Sequence, residues 1–190
     1  MPSASPHAAG TTPHTTPVRP KLGEAVITVV LPADFTAFCQ LHHDVYRHYA
    51  HQLIADHDTA VRAVQHALGD LAASWSQALA GHRTTAIAWS ALTRRVHRAA
   101  RTSPTTPAGA LYADGLAPAI EADAALLHHI VGLGTDDVAD TLGAEPATVT
   151  SLLHTFDRRL NDTASTALRV CWAEARAPAP SPLTPGSGPG

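Results

Sequence analysis

The side chains best spaced for chemistry in this chain are cationic, not nucleophilic. Arg94, Arg95, Arg98 and Arg101 stand at three- and four-residue offsets, so most of them share one face of a helix. No acid occurs between Leu71 and Ala113, where these four and Arg83 supply five positive charges. Such a stripe is an electrostatic footprint for a phosphate backbone. The competing reading is an ordinary solvated arginine face.

The thirteen histidines raise the question of metal. His43, Arg47 and His51 share a helical face, and His48 and His51 are three apart, a spacing compatible with two ligands. No third ligand is forced, and the pairs His42-His43 and His128-His129 read as compositional bias, so neither metal nor cofactor is expected. Protonation of imidazoles near pH 6 would instead make any nucleic-acid affinity pH-sensitive. No nucleophile elbow, phosphate-binding loop, zinc-protease helix or dinucleotide turn is present, and no catalytic residue is assigned. Cys39 and Cys171 are expected to be separate core or half-buried thiols. Trp75, Trp89 and Trp172 read as core anchors in preference to base-stacking platforms.

These residues must be positioned by helices. Leu41, Val45, Tyr49, Leu53 and Ile54 recur with helical spacing, and so do Ala60, Val64, Ala67, Leu68, Leu71 and Trp75. Asp58 or Thr59 is the expected N-cap of the second run and Gly81 its stop after Leu79. A third helix is expected from Thr85 through Trp89, Leu92 and Val96 to Arg101. The segment TSPTTPAG at 102–109 then carries two prolines and a glycine, which reads as the start of a flexible linker over 102–116. A second helical block follows over 117–172. The run VITVVL at 26–31 has strand-like composition, but a lone strand is marginal in water. The fold class is therefore all-α: two helical modules, 32–101 and 117–172, joined by a flexible linker.

Within the second block, residues 135–154 read as a helix-turn-helix. Ala139 is the small residue where two helices touch, and Gly143 supplies the turn with a residue tolerating positive φ. Val138, Leu142, Val149, Leu152 and Leu153 form the inner face. Thr135 is the expected cap of the first helix, with Asp136 and Asp137 at the positive end of its dipole. Pro146 suits the first turn of the second helix, where its missing N–H costs nothing. Thr148, Thr150, Ser151, His154, Arg158 and Arg159 are the candidate DNA-contacting residues on that second helix.

The segment GLGTDDVADTLGAEPATVTSLLH at 132–154, followed by Arg158-Arg159-Leu160, resembles the promoter-reading domain of extracytoplasmic-function sigma factors of bacterial RNA polymerase. Residues 38–75 are similar to the polymerase-binding region of that family, through Tyr49-Ala50, Leu53, Asp56, Asp58, Ala60, Gln65 and Trp75. Ala88-Trp89 and Thr93-Arg94-Arg95 resemble its downstream-element helix. The resemblance covers roughly residues 35–160. It implies a transcription factor that binds the RNA polymerase core and double-stranded promoter DNA; it leaves room for an anti-sigma protein as a partner, which the sequence does not reveal. Two departures stand out. Residues 114–162 hold nine acids against Arg158 and Arg159, a net charge of −7, with Thr150, Leu152, Thr155 and Asp157 where the family is basic. Val61-Arg62 replaces the family's acidic pair after its first turn. An adaptor acting by protein contact, or a free-standing dimeric helix-turn-helix regulator, are the alternatives.

Bulk properties set the frame. Residues 1–24 and 177–190 are rich in Pro, Ser, Thr and Gly, cannot bury enough apolar surface to offset ordering entropy, and are expected to be disordered tails. No apolar signal segment follows Met1, and no stretch approaches the length needed to cross a bilayer, so a cytoplasmic protein with no membrane partner is expected.

Overall fold

The computed structural model describes residues 31–81, 83–113, 115, 117–162 and 166–176. The two tails, and all but Leu31 of the strand-like run at 26–31, lie outside the described residues. Every regular element among the described residues is helical, and no strand is present among them, so the all-α class holds.

Helix α1 spans Ala33–Leu53 and buries Phe35, His42, Tyr46, Tyr49, Ala50 and Leu53. Its expected inner face included Leu41, which is instead 74% exposed. Helical spacing permits two overlapping faces that share Tyr49 and Leu53. The face carrying the large aromatic rings is the one turned inward, because it removes more apolar surface from water.

Helix α2 (His57–Ala73) is capped by Asp56, whose carboxylate accepts from Thr59 N at 2.8 Å, earlier than the expected cap at Asp58 or Thr59. It ends at Ser74, whose hydroxyl bonds back to Asp70 O, so the run expected to reach Leu79 breaks into α2 and a short α3 (Trp75–Ala80). Helix α4 (Thr84–Ala100) buries Ala88, Trp89, Ala91, Leu92 and Val96. Trp75 and Trp89 are core anchors as expected; Phe35 packs edge-on against Trp75 at 5.1 Å.

Where a structureless joint was expected, the chain forms α5 (Pro107–Ala113) with Ala108 and Leu111 buried. Thr106 Oγ1 accepts from Gly109 N at 2.9 Å and donates to Gln52 O at 2.6 Å, tying the helix start to the end of α1. Proline and glycine mark a turn here, but Pro107 also fits a first helical position, and two apolar residues after it suffice to seat one turn on the core.

The second block holds α6 (Ala119–Leu126), a π-helical turn (Leu127–Val131) closed by Gly132 at φ 87°, α7 (Thr135–Leu142), α8 (Pro146–Asp162) and α9 (Thr166–Arg176). Trp172 of α9 packs on Phe156 of α8, with ring centroids 5.1 Å apart. One continuous apolar core runs through both blocks, from Phe35 and Leu53 to Leu126, Val149 and Trp172.

Candidate nucleic-acid interface

Helices α7 and α8 meet through Val138, Ala139, Leu142, Val149 and Leu153, all buried, with Leu152 half-buried behind them. Gly143 adopts φ 65°, ψ 40° as the C-cap of α7, and Pro146 begins α8. Thr135 does not cap α7: it is the first helical residue, and Gly134 takes the extended cap position without a side-chain bond. The turn is seated tightly. A Cβ on Gly143 would lie 2.5 Å from Ala86 N and 2.8 Å from Thr85 Oγ1, so glycine is required here by contact as well as by φ.

On α8, Thr148, Ser151, His154 and Arg158 are exposed and span about a third of the helix circumference, with Thr150 exposed at the edge of that face. Ser151 and Thr150 donate their hydroxyl protons to Ala147 O and Pro146 O, both at 3.0 Å, which leaves their lone pairs outward. Arg159 is exposed as well, but its charge is directed toward the core. Its Nε donates to the buried carboxylate of Glu121 on α6 at 3.1 Å, so it anchors α8 to the core.

The arginine stripe of α4 is divided in the same manner. Arg95 grips Asp70 of α2 with Nε and Nη2, both at 2.7 Å, and Arg94 lies 3.6 Å from the same carboxylate. The guanidinium pair holds the Asp70 carboxyl below its usual range. Arg98 and Arg101 are exposed. The acid-free window of the sequence begins one residue after Asp70, so a count over that window misses the acid that pairs with two of its arginines. In the expected contact set Arg98, Arg101 and Arg158 are exposed, and Arg94 and Arg159 are exposed as well but lie against Asp70 and Glu121.

One site escaped sequence reading. Asp123 of α6, 3% exposed, accepts from Tyr49 Oη of α1 at 2.6 Å, from Trp89 Nε1 of α4 at 3.1 Å and from Tyr112 Oη of α5. Tyr49 Oη also lies 3.0 Å from His97 Nε2. The tyrosine proton is committed to the carboxylate, so His97 Nε2–H is the donor in that contact. Burial raises the Asp123 carboxyl above its usual range although the tyrosines, His97 and Trp89 favour its charged form. Burial likewise lowers the His97 imidazole. Aromatic periodicity marked Tyr49 and Trp89 as core; a lone Asp in an alanine-rich helix carries no signal of a partner 74 residues away.

Among the described residues, no group of three or more His, Cys, Asp or Glu is placed to hold a metal ion, and no helix is long and apolar enough to cross a membrane. Cys39 is a half-buried free thiol; the Cys171 side chain lies outside the described residues. No protein-family model, curated protein or solved structure matches this chain.

Proposed function

We propose that this chain is a sigma-like transcription factor that docks on the RNA polymerase core and presents α8 to the major groove of promoter DNA. The observation that carries the reading is the outward face of α8: Thr148, Ser151, His154 and Arg158 stand together on the second helix of a tight pair whose inner side is buried. Hydroxyl, imidazole and guanidinium groups are the types that bond base edges and phosphates. With Arg98 and Arg101 on α4, few outward cations remain, so affinity for DNA alone is weak and polymerase supplies the rest.

Co-purification with RNA polymerase followed by promoter-specific transcription in vitro tests this. Binding to polymerase with specific initiation supports it, and absence of polymerase binding removes it.

A second reading is an adaptor that binds protein and not DNA. It is favoured by the internal pairing of Arg94, Arg95 and Arg159 and by the exposed acids Asp136, Asp137, Asp140 and Glu145 around α7. Polymerase binding without initiation would select it.

A further inference from the structure

Where α4 ends and the chain crosses to α5, the described residues line a pocket of about 380 Å³. That volume falls in the range of small-molecule sites. Leu53 of α1, Ala100 of α4 and Tyr112 of α5 give it apolar surface, and Arg101, His97 and Thr105 add polar groups. The wall is fixed by hydrogen bonds. Thr102 N and Ser103 N donate to Ala99 O and Ala100 O, both at 3.1 Å, and Thr106 Oγ1 ties Gln52 O to Gly109 N. A pocket already formed binds without the cost of ordering its loop.

Its charge is one-sided. Neighbouring pockets are lined by Asp44, Asp70 or Asp157, whereas no carboxylate lines this one among the described residues. Asp123 does act on His97, but its carboxylate is occupied by Tyr49, Trp89 and Tyr112. The Arg101 side chain has no ion-pair or hydrogen-bond partner among the described residues, so its charge is available to an occupant.

His97 adds an open acceptor. Its Nε2–H is given to Tyr49 Oη, so the neutral ring carries its lone pair on Nδ1. Nδ1 has no partner among the described residues. It is not sealed away either: the buried atoms left unpartnered are Tyr46 Oη, Arg47 Nε, Trp75 Nε1 and His129 Nε2. Burial holds the imidazole below its usual range, with Asp123 pulling the other way and Arg101 adding to the fall, so the ring is a neutral acceptor at pH 7.

We propose that this pocket binds a small hydroxyaryl carboxylic acid, with Arg101 taking the carboxylate, Leu53, Ala100 and Tyr112 the ring, and His97 Nδ1 the ligand's hydroxyl proton. The guanidinium selects an anion. An aromatic body covers the apolar surface with little rotamer freedom to lose. The bare Nδ1 selects a donor at the far end. His97 and Tyr112 also bond within the cluster around Asp123, so an occupant braces the contacts that join α1, α4, α5 and α6. Arg101 is shared with the promoter reading, but the inference does not depend on it; a chain that fails to bind DNA or polymerase leaves the acid titration unaffected.

The test is an NMR titration of the full chain at pH 7 and constant ionic strength, with 3- and 4-hydroxybenzoate as probes. Saturable shifts of the His97 ring and of the Arg101, Thr105 and Gly109 amides are expected with at least one isomer. Benzoate, which lacks the donor, should bind about five-fold more weakly. The matching hydroxybenzamide, which lacks the charge, should bind about ten-fold more weakly. Acetate, which lacks the ring, should give no saturable shifts. Arg101→Gln, a change at an exposed side chain, should weaken the acid about ten-fold and leave the amide's affinity as it was. Ala100→Leu, checked for helix content, fills the pocket and should abolish binding of both. The assignment is overturned if neither isomer gives saturable shifts, if acetate, benzoate or the amide binds as tightly as the hydroxy acid, or if the acid keeps its affinity in Arg101→Gln or in a folded Ala100→Leu.

Discussion

Replacing Asp123 by alanine should unfold much of what joins the two helical blocks, and the size of the loss follows from the donors it leaves behind. Tyr49 and Trp89 are buried, and Tyr112 is half-buried as a residue with its hydroxyl on the buried carboxylate. A buried donor without a partner costs about 1–3 kcal/mol. Three donors left without their acceptor give a loss of roughly 3–5 kcal/mol, after allowing for relief of the carboxylate's own desolvation and for the contacts the donors keep with one another. Against a total stability of about 5–15 kcal/mol, this is a large fraction.

Tyr49→Phe removes one of three donors to the carboxylate and should cost about 1–2 kcal/mol. The double variant is the informative one. Once Asp123 is gone, the Tyr49 hydroxyl loses its acceptor and keeps only its contacts with His97 Nε2 and Tyr112 Oη, so deleting it as well should return part of the loss. The two changes should fall short of additivity by about 1–2 kcal/mol. Urea unfolding of the four proteins, followed by tryptophan fluorescence and by helix content, measures all the terms. If the two costs add to within about 0.5 kcal/mol, or if Asp123→Ala behaves like a surface change, the bonded cluster does not hold the blocks together.

Three further outcomes are expected. Asp70→Asn frees Arg94 and Arg95; duplex affinity should rise and the slope of log affinity against log salt should steepen by about one unit per freed arginine, whereas an unchanged slope would place that face away from phosphate. Gly143→Ala meets both a positive φ and the Ala86 backbone, and should lower stability by about 2–4 kcal/mol with a matching fall in Tm; a variant as stable as the parent would contradict the tight seat of the α7–α8 turn. Stability should fall as pH drops below 6.5, because His42, His51, His97 and His129 are held below their usual range and the unfolded chain binds more protons there. Asp123 opposes this: its raised carboxyl favours the folded state below the ordinary carboxylate range and loses that contribution as pH rises. His97→Gln should therefore flatten the histidine window in pH-dependent urea unfolding, and an unaltered profile would mean that His97 titrates as it does in the unfolded chain.

What could be read from sequence was what repeats locally. The spacing of Ala60, Val64, Ala67 and Leu71 places the inner face of α2, and Gly143 with Pro146 marks the α7–α8 turn within a residue. Features decided by tertiary contact were not visible. Leu41 and Tyr46 compete for the interior of α1 at equivalent spacing, and only the partner surface selects the aromatic. Pro107 serves equally as a linker residue and as a helix start, and the burial of Leu111 decides between them. Asp123 has meaning only once α1, α4, α5 and α6 are assembled around it.

Charge shows the same limit with a consequence for function. The first block reads as +5 over its acid-free window, yet Asp70 draws in two of those arginines. The second block reads as −7, yet Glu121 is matched by Arg159 and Asp123 is buried among donors. Neither number describes what a DNA duplex would meet. The outward face of α8 carries no acid among Thr148, Thr150, Ser151, His154 and Arg158; Asp157 is half-buried, 3.5 Å from His129. Among the described residues, the exposed acids of this block are Asp136, Asp137, Asp140 and Glu145 around α7, Asp162 at the end of α8 and Glu174 on α9. A duplex approaching α8 would thus find a neutral to weakly positive face beside a negative one, and orientation matters more than net charge. Such a surface discriminates poorly on its own and well when a larger partner fixes its angle of approach, which is why polymerase binding, rather than DNA affinity, is the property to measure first.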